Sequence, residues 1–292
     1  MSVQRRQPND RLSYNDDIIL FETAHFISII NHNQGRSHLI IRSKREIEKD
    51  FPFDLYTFNI DFQDEFWYLV QKTVAKSQIP TFLCHHFGEW RSADHFHVHL
   101  VVNNAQFAKF VAKESPKPID EANVISKINK KSEYLVIRQM KFQNEELEVI
   151  RNMKITSEDQ FPTEWEDYYI EIHPYFSRVS FIPKAPLMYS QDSKVVNEQL
   201  KTYRTNVFKA MRAFADKYGL KNYRTWQKLS GDPFYINHER PTDRLIYGLI
   251  QVSPIDFFRL HSNREEWLEN WKKADKHPLN LNKFPVDPLS CI

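Results

Sequence analysis

The sequence predicts an α+β fold, an antiparallel sheet with helices packed on it, and three observations carry that prediction. Residues 94–102 alternate histidine with apolar side chains, the period-two pattern of a half-buried strand. Residues 61–78 place Phe62, Phe66, Leu69, Val70, Thr73 and Val74 at helical intervals, so one face of that helix meets a core. The order strand, long amphipathic helix, strand, turn, strand then returns between residues 177 and 252.

Taken in order, residues 1–14 are polar, with Arg5, Arg6, Asn9 and Asp10, and read as a flexible arm. Residues 17–22 and 26–30 are apolar runs that read as two strands. Asn31, His32, Asn33, Gln34 and Gly35 form the turn into a third strand at 38–42. Asn59 and Asp61 are candidate caps for the helix at 61–78, and Pro80 closes it. A strand at 81–86 leads through Gly88 to Ser92 into the histidine strand; His85 and His86 point to opposite faces, so only one of them faces the histidines. Phe107, Phe110 and Val111 mark a helix at 103–115, broken by Pro116 and Pro118. Lys127, Lys130 and Lys131 form a basic surface cluster before an apolar strand expected at 134–140, and 144–159 reads as a surface excursion. In the last third, Val196, Leu200, Tyr203, Val207, Met211, Phe214 and Tyr218 line one face of a helix from Asp192 or Ser193, ended by Gly219. Strands at 223–229 and 243–252 follow, then a charged helix with Trp267 and Trp271, then an extended strap with Pro278, Pro285 and Pro288. The expected division is a domain at 15–110, an insertion or linker at 111–160 and a C-terminal domain at 161–292.

Composition narrows the function classes. With 292 residues, 41% hydrophobic and 27% charged, the chain can bury a substantial core or two small ones. A net charge of +2 does not by itself mark a nucleic-acid-binding protein. Cys84 and Cys291 lie far apart and form no zinc pattern, which fits a reducing compartment. There is no apolar run of about 18 residues or more and no charged-then-apolar leader, so no membrane contact is expected and the expected location is the cytoplasm or nucleus.

His95, His97 and His99 share one strand face while Phe96, Val98 and Leu100 share the other. Three readings fit imidazoles so placed: a polar face by chance, a metal site completed by a distant ligand, and nucleophilic catalysis in which a neutral imidazole attacks phosphorus. No cysteine pair and no carboxylate on the same strand supports the metal.

The run His95-Phe96-His97-Val98-His99-Leu100-Val101 resembles the signature of the histidine triad superfamily of nucleotide hydrolases and transferases. Ser92, three residues before the first histidine, is similar to a residue of one branch of that family. The segments 17–22, 26–30 and 35–44 resemble its opening strands, so the likeness covers roughly residues 15 to 105. It implies a histidine triad-like sheet and a catalytic set of His97 as nucleophile, His99 on a phosphate oxygen, His95 orienting the ring and Ser92 on the leaving atom. It implies nucleotide contacts at His38 and Asn31, while Arg42 and Arg91 offer positive charge beside them. No cofactor and no metal is implied. Asn31 and Asn33 stand where the family carries an acidic ribose-binding residue, and Arg42 replaces its usual proline. His99 replaces the glutamine of nucleotidyl-transferring members, which tilts the outcome from transfer toward hydrolysis.

Residues 177–184 resemble the third family strand better than residues 38–44 do. A tandem second half that has lost its triad is therefore one expectation, acting as an internal pseudo-dimer where relatives are homodimers or tandem repeats, and an unrelated α+β extension is the other. The expected assembly is a homodimer or that internal pseudo-dimer. Two functions stay open. One is a hydrolase or nucleotidyl transferase cleaving phosphoanhydride or phosphoramidate bonds through a nucleotidyl-histidine. The other is a silent binding protein holding nucleotide or RNA through Arg36, Arg42, Arg91 and residues 127–131.

Overall fold

Runs of Ile, Phe, Leu and Val separated by short polar turns set up three antiparallel strands at the start, β1 (Ile18–Glu22), β2 (Phe26–Ile30) and β3 (His38–Ser43). The computed structural model describes residues 17–32, 35–44, 60–80, 82–91, 95–155, 159–174, 176–184, 193–229 and 248–276, with the backbone alone at 132, 134–144, 193–200, 228 and 273–276. The expected arm at 1–14, Asn33, Ser92, residues 243–247 and the proline strap therefore lie outside the described residues. After β3 come α1 (Ile60–Ser77), β4 (Phe82–Phe87), a single 3-10 turn at Gly88–Trp90, β5 (His97–Val101), α2 (Asn104–Glu114) and α3 (Glu121–Arg151). The second half contributes β6 (Glu164–Trp165), β7 (Tyr168–Ile172), β8 (Arg178–Pro183), α4 (Ser193–Lys217), β9 (Tyr223–Lys228), β10 (Gly248–Val252), α5 (Pro254–Leu260) and α6 (Arg264–Lys276).

All ten strands form one antiparallel sheet in the order β1-β2-β3-β5-β4-β9-β10-β8-β7-β6. Read inward from either edge, the two halves have the same topology: a three-stranded meander, a long helix, then two strands of which the later one inserts beside the meander. The correspondence extends to single bonds. Lys44 pairs with Glu22 at 2.6 Å, and Lys184 pairs with Glu164 at 2.6 Å. The Val102 amide donates to the Ser37 carbonyl at 3.2 Å, as the Val252 amide does to Ser177 at 3.0 Å. Asn103 caps α2 and Ser253 caps α5, each accepting backbone N–H groups of the first turn.

The α+β expectation is met, and the positions of α1, α2, α4, α6 and the strands follow the periodicities. Residues 134–140 do not form a strand. Asp120 caps α3, its carboxylate accepting from the Ala122 amide at 3.0 Å, and the helix runs unbroken to Arg151. A short apolar run cannot be told from a helix segment by periodicity alone. Here it sits between Glu-, Lys- and Gln-rich helical turns, and extending an existing helix is far easier than starting a new element. The lysine cluster is consequently helical, and the first half of the segment expected as a surface excursion, residues 144–151, is the last part of α3. The histidine strand is also shorter than expected, beginning at His97.

One face of the sheet carries the main core, in which Phe26, Phe66, Phe96, Val98 and Leu100 meet and Phe181 and Phe214 serve the second half. Phe26, Phe66 and Phe96 form a T-shaped triangle with ring centroids 5.7–5.9 Å apart. His85 lies on this face, stacked on Phe208 and edge-on to Phe96. The other face carries the imidazoles.

The halves are also fastened through the 3-10 turn. Gly88 has φ of 65°, and the Glu89 amide donates to Oδ1 of Asn222 at 2.8 Å. A Cβ at position 88 would overlap the Lys221 carbonyl oxygen and Asn222 Oδ1. Gly88→Ala should therefore destabilise the protein by about 2–3 kcal/mol through positive-φ strain and this overlap. A urea midpoint unchanged from the parent protein would refute that account of the turn.

Candidate active site

Strand registers assemble the site before any side chain is considered. His97 on β5 stands opposite Arg42 on β3, and His99 stands opposite Ile40 on β3 and Cys84 on β4. Two residues further along β4, His86 takes the same face and level as His97, and across the next boundary it pairs in register with Arg224 of β9. One row across four strands thus reads Arg42, His97, His86, Arg224.

The rings follow the registers. His97 lies 5.4 Å from His95 and 5.1 Å from His99, centroid to centroid, and His99 lies 4.4 Å from His38 and 5.2 Å from His86. The structure therefore gathers His95, His97, His99 and His38 as the sequence suggests, although His95 precedes the strand, and it adds His86. Asn31 is buried at the end of β2, and Arg42 is buried with Nη1 donating to the Ser43 carbonyl at 3.0 Å. Arg91 follows the 3-10 turn and lies near enough to His97 to act on its protonation. Ser92 is outside the described residues.

His97 Nδ1 lies 3.1 Å from the His95 carbonyl oxygen. A carbonyl only accepts, so this bond assigns the proton to Nδ1 and leaves the lone pair on Nε2. Burial lowers the His97 pKa; the bond to His95 opposes that, and Arg91, Arg36 and Arg42 add to it. His99 is held well below its ordinary value by burial and by His38, His97 and His86, and His86 by burial and Arg224. The ring nitrogens of His86 and His99 are buried without hydrogen bonds to the described residues, so both rings keep their polar atoms for something else. His86, His97 and His99 are thus biased toward the neutral form beside permanent guanidinium charge. That combination suits a nucleophile and an anion, since charged imidazolium would lack the lone pair.

Among the described residues, no group of three or more His, Cys, Asp or Glu side chains is placed to hold a metal ion. In the second half, Arg178 stands at the place of His38, Trp226 at that of Cys84 and Leu249 at that of His99. The described imidazole array belongs to the first half alone.

No family model and no curated protein matches the chain. Solved structures align over most of it at low similarity. A uridylyltransferase is 13% identical over 90% of this chain and 81% of its own, with a TM-score of 0.34. A GalT-like protein from Arabidopsis thaliana is 11% identical over 80% and 78%, with a TM-score of 0.39. An ADP-glucose phosphorylase from the same plant, with bound ADP-glucose, is 11% identical over 80% and 76%, with a TM-score of 0.38. Likeness at this level identifies neither a family nor a reaction. Among the described residues, no helix is long and apolar enough to cross a membrane.

Two site neighbours escaped the sequence reading, Arg224 and Trp90, whose ring lies 4.9 Å under the Arg224 guanidinium. The strand at 223–229 is visible in the sequence, but its pairing with β4 is a long-range event that no local pattern announces.

The titrations set a pH profile of stability. His86, His97, His99 and His173 are all depressed below 6.5, the last to about 4 through burial and Arg178. The unfolded chain therefore binds more protons below pH 6.5, and the stability these rings contribute, complete above 6.5, is lost as pH falls. Glu146 on α3 acts oppositely: burial and Asp256 raise it from 4.5 to about 8, so its contribution is lost as pH rises toward 8. Stability should peak near pH 6.5–7, with each depressed imidazole adding up to about 1.4 kcal/mol per pH unit to the acid limb. Glu146→Gln should flatten the alkaline limb and steepen the acid limb between pH 4.5 and 6.5, where Glu146 opposes the imidazoles. A urea midpoint that rises from pH 6.5 to 5 would contradict this assignment.

Proposed function

We propose that this protein hydrolyses nucleoside phosphoanhydride or phosphoramidate bonds through a covalent nucleotidyl-His97 intermediate. The observation that carries the proposal is the 3.1 Å contact between His97 Nδ1 and the His95 carbonyl, which leaves Nε2 as a neutral nucleophile inside a rim of arginines. Nε2 attacks the α-phosphorus; the P–N bond forms as the bond to the leaving atom breaks, and that atom departs with the electron pair. The imidazole becomes cationic, and its Nδ1 proton is held by the His95 carbonyl. Water then attacks the same phosphorus from the face the leaving group vacated, and its proton passes through solvent to replace the one taken up by the departing atom. The P–N bond breaks with its electron pair returning to Nε2, and His97 is again neutral with the monophosphate released.

In this reading His99 donates to a phosphate oxygen as negative charge builds in each transition state, and Arg42 and Arg91 stabilise the same charge at longer range. His95 positions the His97 ring through its carbonyl, and Ser92 serves the leaving atom. Asn31 and His38, on the β2–β3 side, place the nucleoside. Transfer to an acceptor other than water uses the same intermediate. The histidine at position 99, where transferring relatives of the resembled family carry glutamine, favours water.

Brief mixing with adenosine phosphoramidate or a diadenosine polyphosphate should add one adenylyl mass to the protein, detectable by intact mass spectrometry. His97→Asn should give no adduct and lower kcat/KM by at least about 10⁴-fold. Because His97 is depressed, kcat/KM should stay level as pH falls through 6.5 and decline only below it. Turnover in His97→Asn at the parental rate would end the covalent reading.

A further inference from the structure

The covalent reading leaves the leaving group undefined. Arg224 lies in β9, in the half that lacks the described imidazole array, yet it faces His86 in register and closes the row that begins at Arg42. It is buried in that position. Its guanidinium lies over the ring of Trp90, 4.9 Å from the centroid, and the turn bearing Trp90 is bound to the residue just before β9, the Glu89 amide donating to Asn222 Oδ1. On the opposite face of the same two strands Phe87 stacks on Tyr223 at 4.5 Å, which anchors the β4–β9 pairing at that level. A cation is therefore held at a set position by its strand register with His86 and by the Trp90 ring, and little ordering entropy remains to be lost on binding an anion.

The row spans three strand spacings, about 14 Å between the Arg42 and Arg224 backbones, with His97 and His86 between them. If Asn31 and His38 hold the nucleoside on the β2–β3 side, a chain attached to the α-phosphate at His97 runs toward β4 and β9. The first group it meets is the His86 ring, whose two nitrogens are buried without hydrogen bonds to the described residues. Next comes Arg224. A neutral amine leaving group has no use for a buried guanidinium there, whereas a phosphate does.

We infer that Arg224, with His86, forms a binding subsite for the phosphates beyond the α-phosphate, so that the preferred substrates are nucleoside or dinucleoside polyphosphates and the leaving group is a phosphate chain. This deepens the covalent reading and rests on it for the direction of the substrate. In the first step the P–O bond between α-phosphorus and bridging oxygen breaks, and the oxygen departs with the electron pair as part of an anion. Arg224 holds that anion and His86 donates to it.

The test uses the full chain and two readouts. In calorimetry with inorganic tripolyphosphate, Arg224→Gln should weaken binding by roughly 10- to 100-fold. In turnover, the same variant should lower kcat/KM for diadenosine tetraphosphate at least about tenfold more than for adenosine phosphoramidate. Should Arg224→Gln fail to fold, Arg224→Lys carries the test. It keeps the charge but loses the planar fork, and about fivefold weaker tripolyphosphate binding is expected. No binding by the parent protein, undiminished binding by the variants, or equal losses on both substrates would overturn the inference. Tripolyphosphate binding that depends on Arg224 in a protein forming no adduct at His97 would instead overturn the covalent reading and leave the subsite standing.

Discussion

The pairing of β4 with β9 is the constraint on which the rest of the molecule depends. Six residue pairs, from Phe82 with Lys228 to Phe87 with Tyr223, turn two five-stranded units into one ten-stranded sheet. Without that ladder each unit would end in an unpaired row of backbone donors and acceptors. With it, β4 becomes an interior strand, and His86 and Cys84 acquire neighbours on both sides. The link is reinforced away from the sheet, where Lys201 of α4 bonds Asp64 of α1 at 2.7 Å. An exposed ion pair of this kind adds little stability by itself. Most of the joining energy therefore resides in the strand ladder and the apolar surface behind it.

The imidazole face is costly in stability terms. His38, His86, His97 and His99 are buried together near Arg42 and Arg224, so polar rings are kept from water with few internal partners. The opposite face offsets this with Phe26, Phe66 and Phe96 in mutual edge contact and with Leu39, Leu83 and Leu100 fully enclosed. Four buried imidazoles gathered on one face of adjacent strands, beside two buried guanidiniums, mark that face as serving something other than stability.

Local pattern made much of this legible. Strand alternation placed His97 and His99 on one face, helical spacing found α1, α2 and α4, and the two-residue rule foresaw that His85 and His86 would part company. What was hidden had physical reasons. The apolar run at 134–140 is too short for its period to speak, and the helix is set by Asp120 and by the turns on either side. His38 is named by the resemblance alone, and its edge contact with the His99 ring follows from the register of β3 with β5. Arg224 and Trp90 gain their place from a contact more than 130 residues apart in the chain, and no window of sequence contains that information. The place where the second half resembles the first was visible at residues 177–184, but the sequence did not disclose that the two halves meet edge to edge.

That meeting is between unlike partners. Trp226 corresponds to Cys84, so Arg224 corresponds to Phe82 and Lys228 to His86. Two identical subunits joined through β4 would set a phenylalanine opposite each copy of His86, and any change there would be made on both sides at once. Within a single chain the two edges can diverge. One copy keeps its aromatic residue against the apolar patch of Cys84, Val101 and Trp226, while the other presents a cation to the imidazoles. Broken symmetry at one junction gives this molecule a polarised row, permanently charged at both ends and neutral between, that a symmetric pair of the same strands does not have.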